Sequence, residues 1–212
     1  MISESEARGE IVRLSKSLFD RGYSVGTGGN ISCLVEDGIL ITPTNSSLGF
    51  LDPDRLSKVS RGGRHLSGDK PSKEIFLHRA FYDSRAAAGA VVHLHSTYCT
   101  ALSCLTDLDR DDCIPALTPY VVMRVGTVRL LPYTRPGDPS TAELISQLGG
   151  RFAAVLLGNH GPVVSGTSLQ SAVAAAEELE ETAKLLMMLR SLPVRLLGDQ
   201  DVADLRKHFP QA

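Results

Sequence analysis

Two histidines one residue apart close an apolar, β-branched run, Val91-Val92-His93-Leu94-His95. In a strand, residues i and i+2 point to one face, about 6.6 Å apart, so both imidazoles can converge on one divalent cation. Taken alone, the pair also reads as a strand whose histidines merely meet solvent. Two further candidates stand elsewhere in the chain. His160 sits in Gly158-Asn159-His160-Gly161-Pro162, between two apolar runs, and Glu74 follows Pro71-Ser72-Lys73. By itself Glu74 reads as a carboxylate favoured by a helix dipole. Three imidazoles and one carboxylate suit a borderline ion such as Zn²⁺. So neutral a ligand set leaves the ion most of its charge, which fits Lewis-acid work on a carbonyl.

A second group of residues offers donors for an anion. Gly26-Thr27-Gly28-Gly29-Asn30-Ile31-Ser32 is a permissive backbone able to present N–H groups. It lacks the Gly-Lys-Ser/Thr ending of a Walker loop, and no helical pattern follows as in a dinucleotide fingerprint. Thr42-Pro43-Thr44-Asn45-Ser46-Ser47 is a cluster of hydroxyl and amide groups at a strand end. Either stretch alone reads equally as a turn.

The elements that must carry these residues follow from periodicity. The spacing predicts helices over 3–21, 73–84, 96–105, 139–149, 167–192 and 201–209. It predicts strands over 31–35, 38–42, 57–60, 90–95, 127–131 and 153–157, with 163–165 as the hairpin partner of the last, and an extended stretch over 114–123. Ser72 is the expected N-cap of the second helix. His78, four residues beyond Glu74, is expected to support or pack rather than ligate. Glu177, Glu178, Glu180 and Glu181 mark a solvated face of the long helix, opposite Val173, Ala176, Leu179, Ala183 and Leu186.

The chain has 212 residues, 42% of them hydrophobic and 22% charged, which fits one globular domain over 1–212. A net charge of −2 with mixed signs argues against nucleic-acid or anionic-membrane surfaces. No apolar run nears the roughly 18 residues of a membrane span, and Met1 to Glu10 lacks a signal-peptide core, so a cytoplasmic protein is expected. Cys33, Cys99, Cys104 and Cys113 show no metal-binding or redox spacing and read as free thiols.

Five stretches, in one order and spacing, make the chain similar to the class II aldolase and adducin family. They are Gly28-Gly29-Asn30-Ile31-Ser32, Ile41-Thr42-Pro43-Thr44, Pro71-Ser72-Lys73-Glu74, Val91-Val92-His93-Leu94-His95 and Asn159-His160-Gly161. The resemblance implies a three-layer α/β/α fold with a largely antiparallel central sheet. It implies His93, His95 and His160 as zinc ligands, with Glu74 ligating in the resting site and acting as acid or base. Mn²⁺ or Co²⁺ are possible stand-ins for the Zn²⁺. Gly29, Asn30, Thr44 and Ser72 match positions that hold a substrate phosphate, and Asn45 and Lys73 flank them. Asn45 stands where the family often has glycine, and Lys73 where it often has a second serine; the extra cation suits a more anionic substrate. Tyr120 aligns with a tyrosine that donates a proton across a subunit boundary, which goes with an expected homotetramer.

Within the family, Gly68-Asp69-Lys70-Pro71-Ser72-Lys73, Thr118-Pro119-Tyr120-Val121-Val122-Met123 and Pro132-Tyr133-Thr134-Arg135-Pro136-Gly137-Asp138-Pro139 are most like 3-oxo-tetronate 4-phosphate decarboxylases. The implied reaction is metal-dependent loss of CO₂ from a phosphorylated β-keto acid through a zinc-stabilised enediolate, giving dihydroxyacetone phosphate. Arg124 and Arg135 are outside candidates for the substrate carboxylate. The alternatives are a sugar-phosphate aldolase or epimerase of the same family, separated by assaying aldehyde against CO₂, and an adducin-like interaction module. Retention of all three histidines and Glu74 speaks against the module.

Overall fold

A computed structural model of the chain describes residues 2–210. The strands are β1 (Asn30–Val35), β2 (Gly38–Ile41), β3 (Ser57–Val59), β4 (His65–Ser67), β5 (Ala90–His93), β6 (Val128–Leu131), β7 (Ala154–Leu157) and β8 (Gly161–Gly166). They form one sheet in the order β4-β3-β2-β1-β5-β8-β7-β6. Every pairing is antiparallel except that of β6 with β7.

Alternate residues of the central strands feed two apolar layers, as a sheet covered on both faces requires. Val92, Leu156 and Val164 join the larger core with α1 (Glu4–Asp20), α3 (Thr97–Ser103), α4 (Pro119–Arg124) and α6 (Leu169–Leu189). Val91, Val155 and Val163 join the smaller one, under α2 (Ile75–Ser84) and α5 (Ser140–Gln147). α7 (Asp199–His208) packs beside α4. The result is the expected α/β/α layering. No helix among the described residues is long and apolar enough to cross a membrane.

Four sequence expectations need correction. The end of the stretch expected as extended, 114–123, is helical. Thr118 accepts the Val121 N–H and Pro119 stands in the first turn, a start signal that outweighs the β-branched pair after it. β4 was not anticipated, because all three of its residues are exposed and it carries no apolar alternation. The strand expected over 90–95 stops at His93, and His95 lies in the connection beyond. Glu74, not Ser72, is the N-cap of α2; Ser72 Oγ accepts the Glu74 N–H at 3.2 Å just outside the helix.

Candidate metal centre

Each histidine is aimed by a different local device. His93 is the last residue of β5 and is fully buried. His95 follows two residues on, and its loop is tied down by α3. There a side chain from α6, Glu180, accepts from Ser96 Oγ (2.7 Å), Tyr98 N (2.8 Å) and Cys99 N (2.8 Å). Glu180 is therefore a buried cap on α3, not part of the solvated acidic face. The stripe was read from spacing alone, which shows no partner from another element.

His160 rides the β7–β8 turn. Asn159 takes a left-handed conformation there (φ 56°), one that asparagine tolerates better than most residues. Its N–H and that of His160 reach Ser103 O (3.1 Å) and Ser103 Oγ (3.2 Å). The next residue must be glycine, since a Cβ on Gly161 would lie 2.3 Å from the Leu94 carbonyl. The glycine loop ahead of β1 closes on the same segment. A Cβ on Gly29, which has φ 82°, would sit 2.8 Å from the His93 carbonyl.

These devices gather the three rings. His95 Nε2 is 3.2 Å from His93 Nε2 and 3.0 Å from His160 Nε2. A tetrahedral ion with metal–nitrogen bonds of 2.0–2.1 Å sets ligand nitrogens about 3.3 Å apart, so the spacing fits one small cation. The tautomer fits too. The Pro162 carbonyl can only accept, so His93 Nδ1, 2.8 Å away, carries the hydrogen and Nε2 keeps its lone pair for a metal. Glu74 closes the group: its Oε2 is 3.6 Å from His93 Nε2 and its Oε1 3.7 Å from His160 Nε2.

Electrostatics favour the ligating forms. Burial pushes His93 down to about 4, against the pull of the Glu74 carboxylate. Burial also lowers His95 and His160, with the Lys73 ammonium a smaller cause at both. Burial opposes ionisation of Glu74, but the histidines and an Asn30 hydrogen bond outweigh it and hold its carboxyl below the usual range. The group thus presents neutral imidazoles and an ionised carboxylate.

The strand-end cluster around Thr44 is clipped to the segment that carries Glu74, but the cavity it lines does not include Gly29, Asn30, Ser72 or Lys73. Pro43 and Pro71 form a β-bridge, Thr44 N–H donates to Lys70 O at 3.0 Å, and Ser72 N–H donates to Thr42 O at 3.3 Å. That clip sets Thr44 next to the Ser72–Glu74 segment. Asn45 is left-handed (φ 56°) and with Thr44 lines a cavity of about 270 Å³. Arg55 and Asp69, on its wall, are paired at 2.7 Å. Lys73 is exposed, and its charge acts on His95 and His160. Asn30 is buried, and its amide is engaged with Glu74 and His78.

Tyr120 is exposed on α4 and, among the described residues, makes no hydrogen bond or ring contact with Glu74 or the histidines. Arg124 and Arg135 are exposed as well. Ser32, which the sequence placed only in the glycine loop, Glu180, which it placed on a solvated face, and Tyr82, which it did not assign, contribute hydrogen bonds around the site.

An antiparallel α/β/α layer structure in which three histidines able to hold a metal ion stand together, with a carboxylate facing them, defines a class of metal-dependent enzymes. The chain belongs to the class II aldolase and adducin family, whose "Class II Aldolase and Adducin N-terminal domain" model matches residues 9–187. A 3-oxo-tetronate 4-phosphate decarboxylase of Pectobacterium atrosepticum is 53% identical to it, over 96% of this chain and 94% of that protein. The crystal structure of YgbL from Klebsiella pneumoniae, described as an aldolase, epimerase or decarboxylase without choosing among them, superposes with a TM-score of 0.95. It is 50% identical, covering 97% of this chain and 100% of that one. An L-fuculose phosphate aldolase of Methanococcus maripaludis is more distant, at 36% identity over 86% of this chain and 97% of that protein.

Proposed function

We propose that this chain is a carbon–carbon lyase that decarboxylates a 3-oxo-tetronate 4-phosphate to dihydroxyacetone phosphate and CO₂. The observation that carries the reading is the gap in similarity, 53% to a decarboxylase against 36% to an aldolase, over nearly the whole chain. Lys73 supports it, since an added cation whose charge acts on His95 and His160 suits a substrate bearing both a phosphate and a carboxylate.

His93, His95, His160 and Glu74 are the residues proposed to hold a divalent cation, zinc in the first instance. Bound there, it supplies Lewis-acid stabilisation of the charge that builds on the substrate ketone oxygen as CO₂ leaves. The clip formed by Gly29, Thr44, Asn45 and Ser72 holds the phosphate, with Asn30 at its inner edge. Held there, the substrate would be positioned for reaction beside the histidines. Lys73 screens the second negative charge. Glu74, ionised at rest and hydrogen-bonded by Asn30, takes up a proton from water and delivers it to C2, where it replaces the departing CO₂. Tyr120, exposed in the single chain, is proposed to complete the site from a neighbouring copy in a homotetramer.

The test is a substrate panel of 3-oxo-tetronate 4-phosphates and ketose 1-phosphates, assayed for CO₂ and for aldehyde release, with and without chelator. CO₂ release from the first class, abolished by chelator and restored by Zn²⁺, is the expected result. Aldehyde release alone would move the assignment to the aldolase side of the family. That second reading is favoured by one observation, the 36% identity to the Methanococcus enzyme.

A further inference from the structure

From Glu74 a row of polar side chains continues between β1 and α2. β1 presents Asn30 and Ser32 to the α2 face of the sheet, two residues apart. Glu74, His78 and Tyr82 recur every four residues along α2. Two residues of strand rise about 6.6 Å and four residues of helix about 6 Å, so the two rows stay in register. The contacts follow: Asn30 Nδ2 to Glu74 Oε2 at 2.8 Å, His78 Nε2 to Asn30 Oδ1 at 2.5 Å, Ser32 Oγ to His78 Nδ1 at 2.7 Å, and Tyr82 Oη to Ser32 Oγ at 2.6 Å.

Only one direction of donation satisfies all four. The Glu74 carboxylate accepts, so Asn30 must turn its NH₂ toward it and leave Oδ1 for His78. His78 must then carry its hydrogen on Nε2, and its bare Nδ1 accepts from the Ser32 hydroxyl. Ser32 has spent its one hydrogen, so Tyr82 donates to it. Burial of His78 keeps its ring uncharged, pushed down to about 3, which a one-way chain needs. With His78 doubly protonated, Ser32 could no longer donate to it.

We propose that His78 is a positioning residue: its Nε2–H locks the Asn30 amide in the one orientation that donates to Glu74. An asparagine amide is close to symmetric in shape, so without that lock it can rotate and set its oxygen against the carboxylate. The repelled carboxylate then leaves the place where it faces His93 and His160. The proposal rests on the reading of Glu74 as part of the metal centre, and not on which phosphorylated ketone is the substrate.

The experiment compares His78→Phe and His78→Gln with the wild-type protein. Gln can place an N–H near the lost Nε2, whereas Phe keeps the volume and removes both polar atoms. His78→Phe is expected to weaken Zn²⁺ binding, or to lower kcat, about 10–100-fold, the range typical of groups that orient metal ligands. KM should move less than threefold, and His78→Gln should recover to within threefold of wild type. Equal impairment of both variants, or a His78→Phe protein within twofold of wild type in both measures, would overturn the proposal.

Should His78→Phe fail to fold, ¹⁵N NMR of the wild-type ring decides, with His78→Gln identifying the signal. A neutral ring protonated at Nε2 supports the lock, and protonation at Nδ1 overturns it. Metal affinity and tautomer need no substrate. A wild-type protein that passes both yet releases no CO₂ keeps the positioning role and refutes the decarboxylase assignment alone.

Discussion

Removing the Glu180 side chain tests whether the candidate metal centre depends on a capping contact that begins one residue after His95. Glu180 reaches from α6 to accept two backbone N–H groups at the start of α3, Tyr98 and Cys99, and the Ser96 hydroxyl. Ser96 can rotate to another partner; the two N–H groups cannot. A buried donor left unpaired costs about 1–3 kcal/mol, so Glu180→Ala should lose about 2–6 kcal/mol. With a urea m-value of about 2 kcal/mol/M, that is a midpoint shift of about 1–3 M.

The neighbouring Glu181→Ala is the control. Its exposed carboxylate accepts from the Tyr23 hydroxyl at 3.1 Å and stands 3.9 Å from Lys184, both solvent-accessible contacts, so its loss should cost about 1 kcal/mol or less. The two losses are compared by urea unfolding of metal-free protein, followed by Zn²⁺ titration. Because α3 begins two residues after His95, the Glu180 variant should also bind metal about tenfold more weakly. A Glu180→Ala protein no less stable than Glu181→Ala would show that the cap does not hold the His95 loop.

Three further outcomes follow from the same contacts. Glu74→Gln should keep the fold, measured by circular dichroism, while turnover drops by at least about 10²-fold, the usual scale of a lost acid–base group; near-normal turnover would remove Glu74 from proton transfer. His78 is held near 3 when folded against about 6.5 when unfolded. Burial, and after it His93, push its value down against the smaller pull of the Glu74 carboxylate. The unfolded chain binds the proton first, so this contribution to stability is complete above pH 6.5 and drains as pH falls toward 3. Urea unfolding should show about 2–3 kcal/mol lost from this group between pH 7 and 4.5, and a flatter profile in His78→Gln. Finally, Lys73→Ser restores the family's commoner residue at an exposed position. Steady-state kinetics should show KM for the phosphorylated keto acid rising about tenfold with melting temperature unchanged, and an unaltered KM would remove Lys73 from substrate binding.

What could be read from the residues was whatever is local. His-x-His at the end of an apolar run, glycine and asparagine at turns, and the apolar stripes of α1 and α6 carry their meaning within a few positions. Contacts between distant elements were not legible in that way. Glu180 looks like its three acidic neighbours until α3 is laid against it. The row Glu74, His78 and Tyr82 has a helical period and Asn30 with Ser32 a strand period, but no rule of spacing says that the two rows face each other. β4 escaped for a different reason: an exposed edge strand three residues long has no buried face to impose a pattern. The helix over Pro119–Arg124 was signalled by Thr118-Pro119, and the β-branched residues that follow obscured it.

The antiparallel order of the central strands explains why these ligands meet at all. β5 runs out of the sheet where β1 and β8 enter it: Asn30 pairs with His93, and His93 with Val163. Strand starts and strand ends therefore share one rim, about 4.8 Å apart from strand to strand. A segment leaving β5, a glycine loop entering β1 and a turn entering β8 must crowd together there. The crowding is tolerated only because Gly29 and Gly161 leave no Cβ against the His93 and Leu94 carbonyls. On this rim His93 closes a strand, while His95 and His160 stand in the segments just beyond strand ends and Glu74 caps α2.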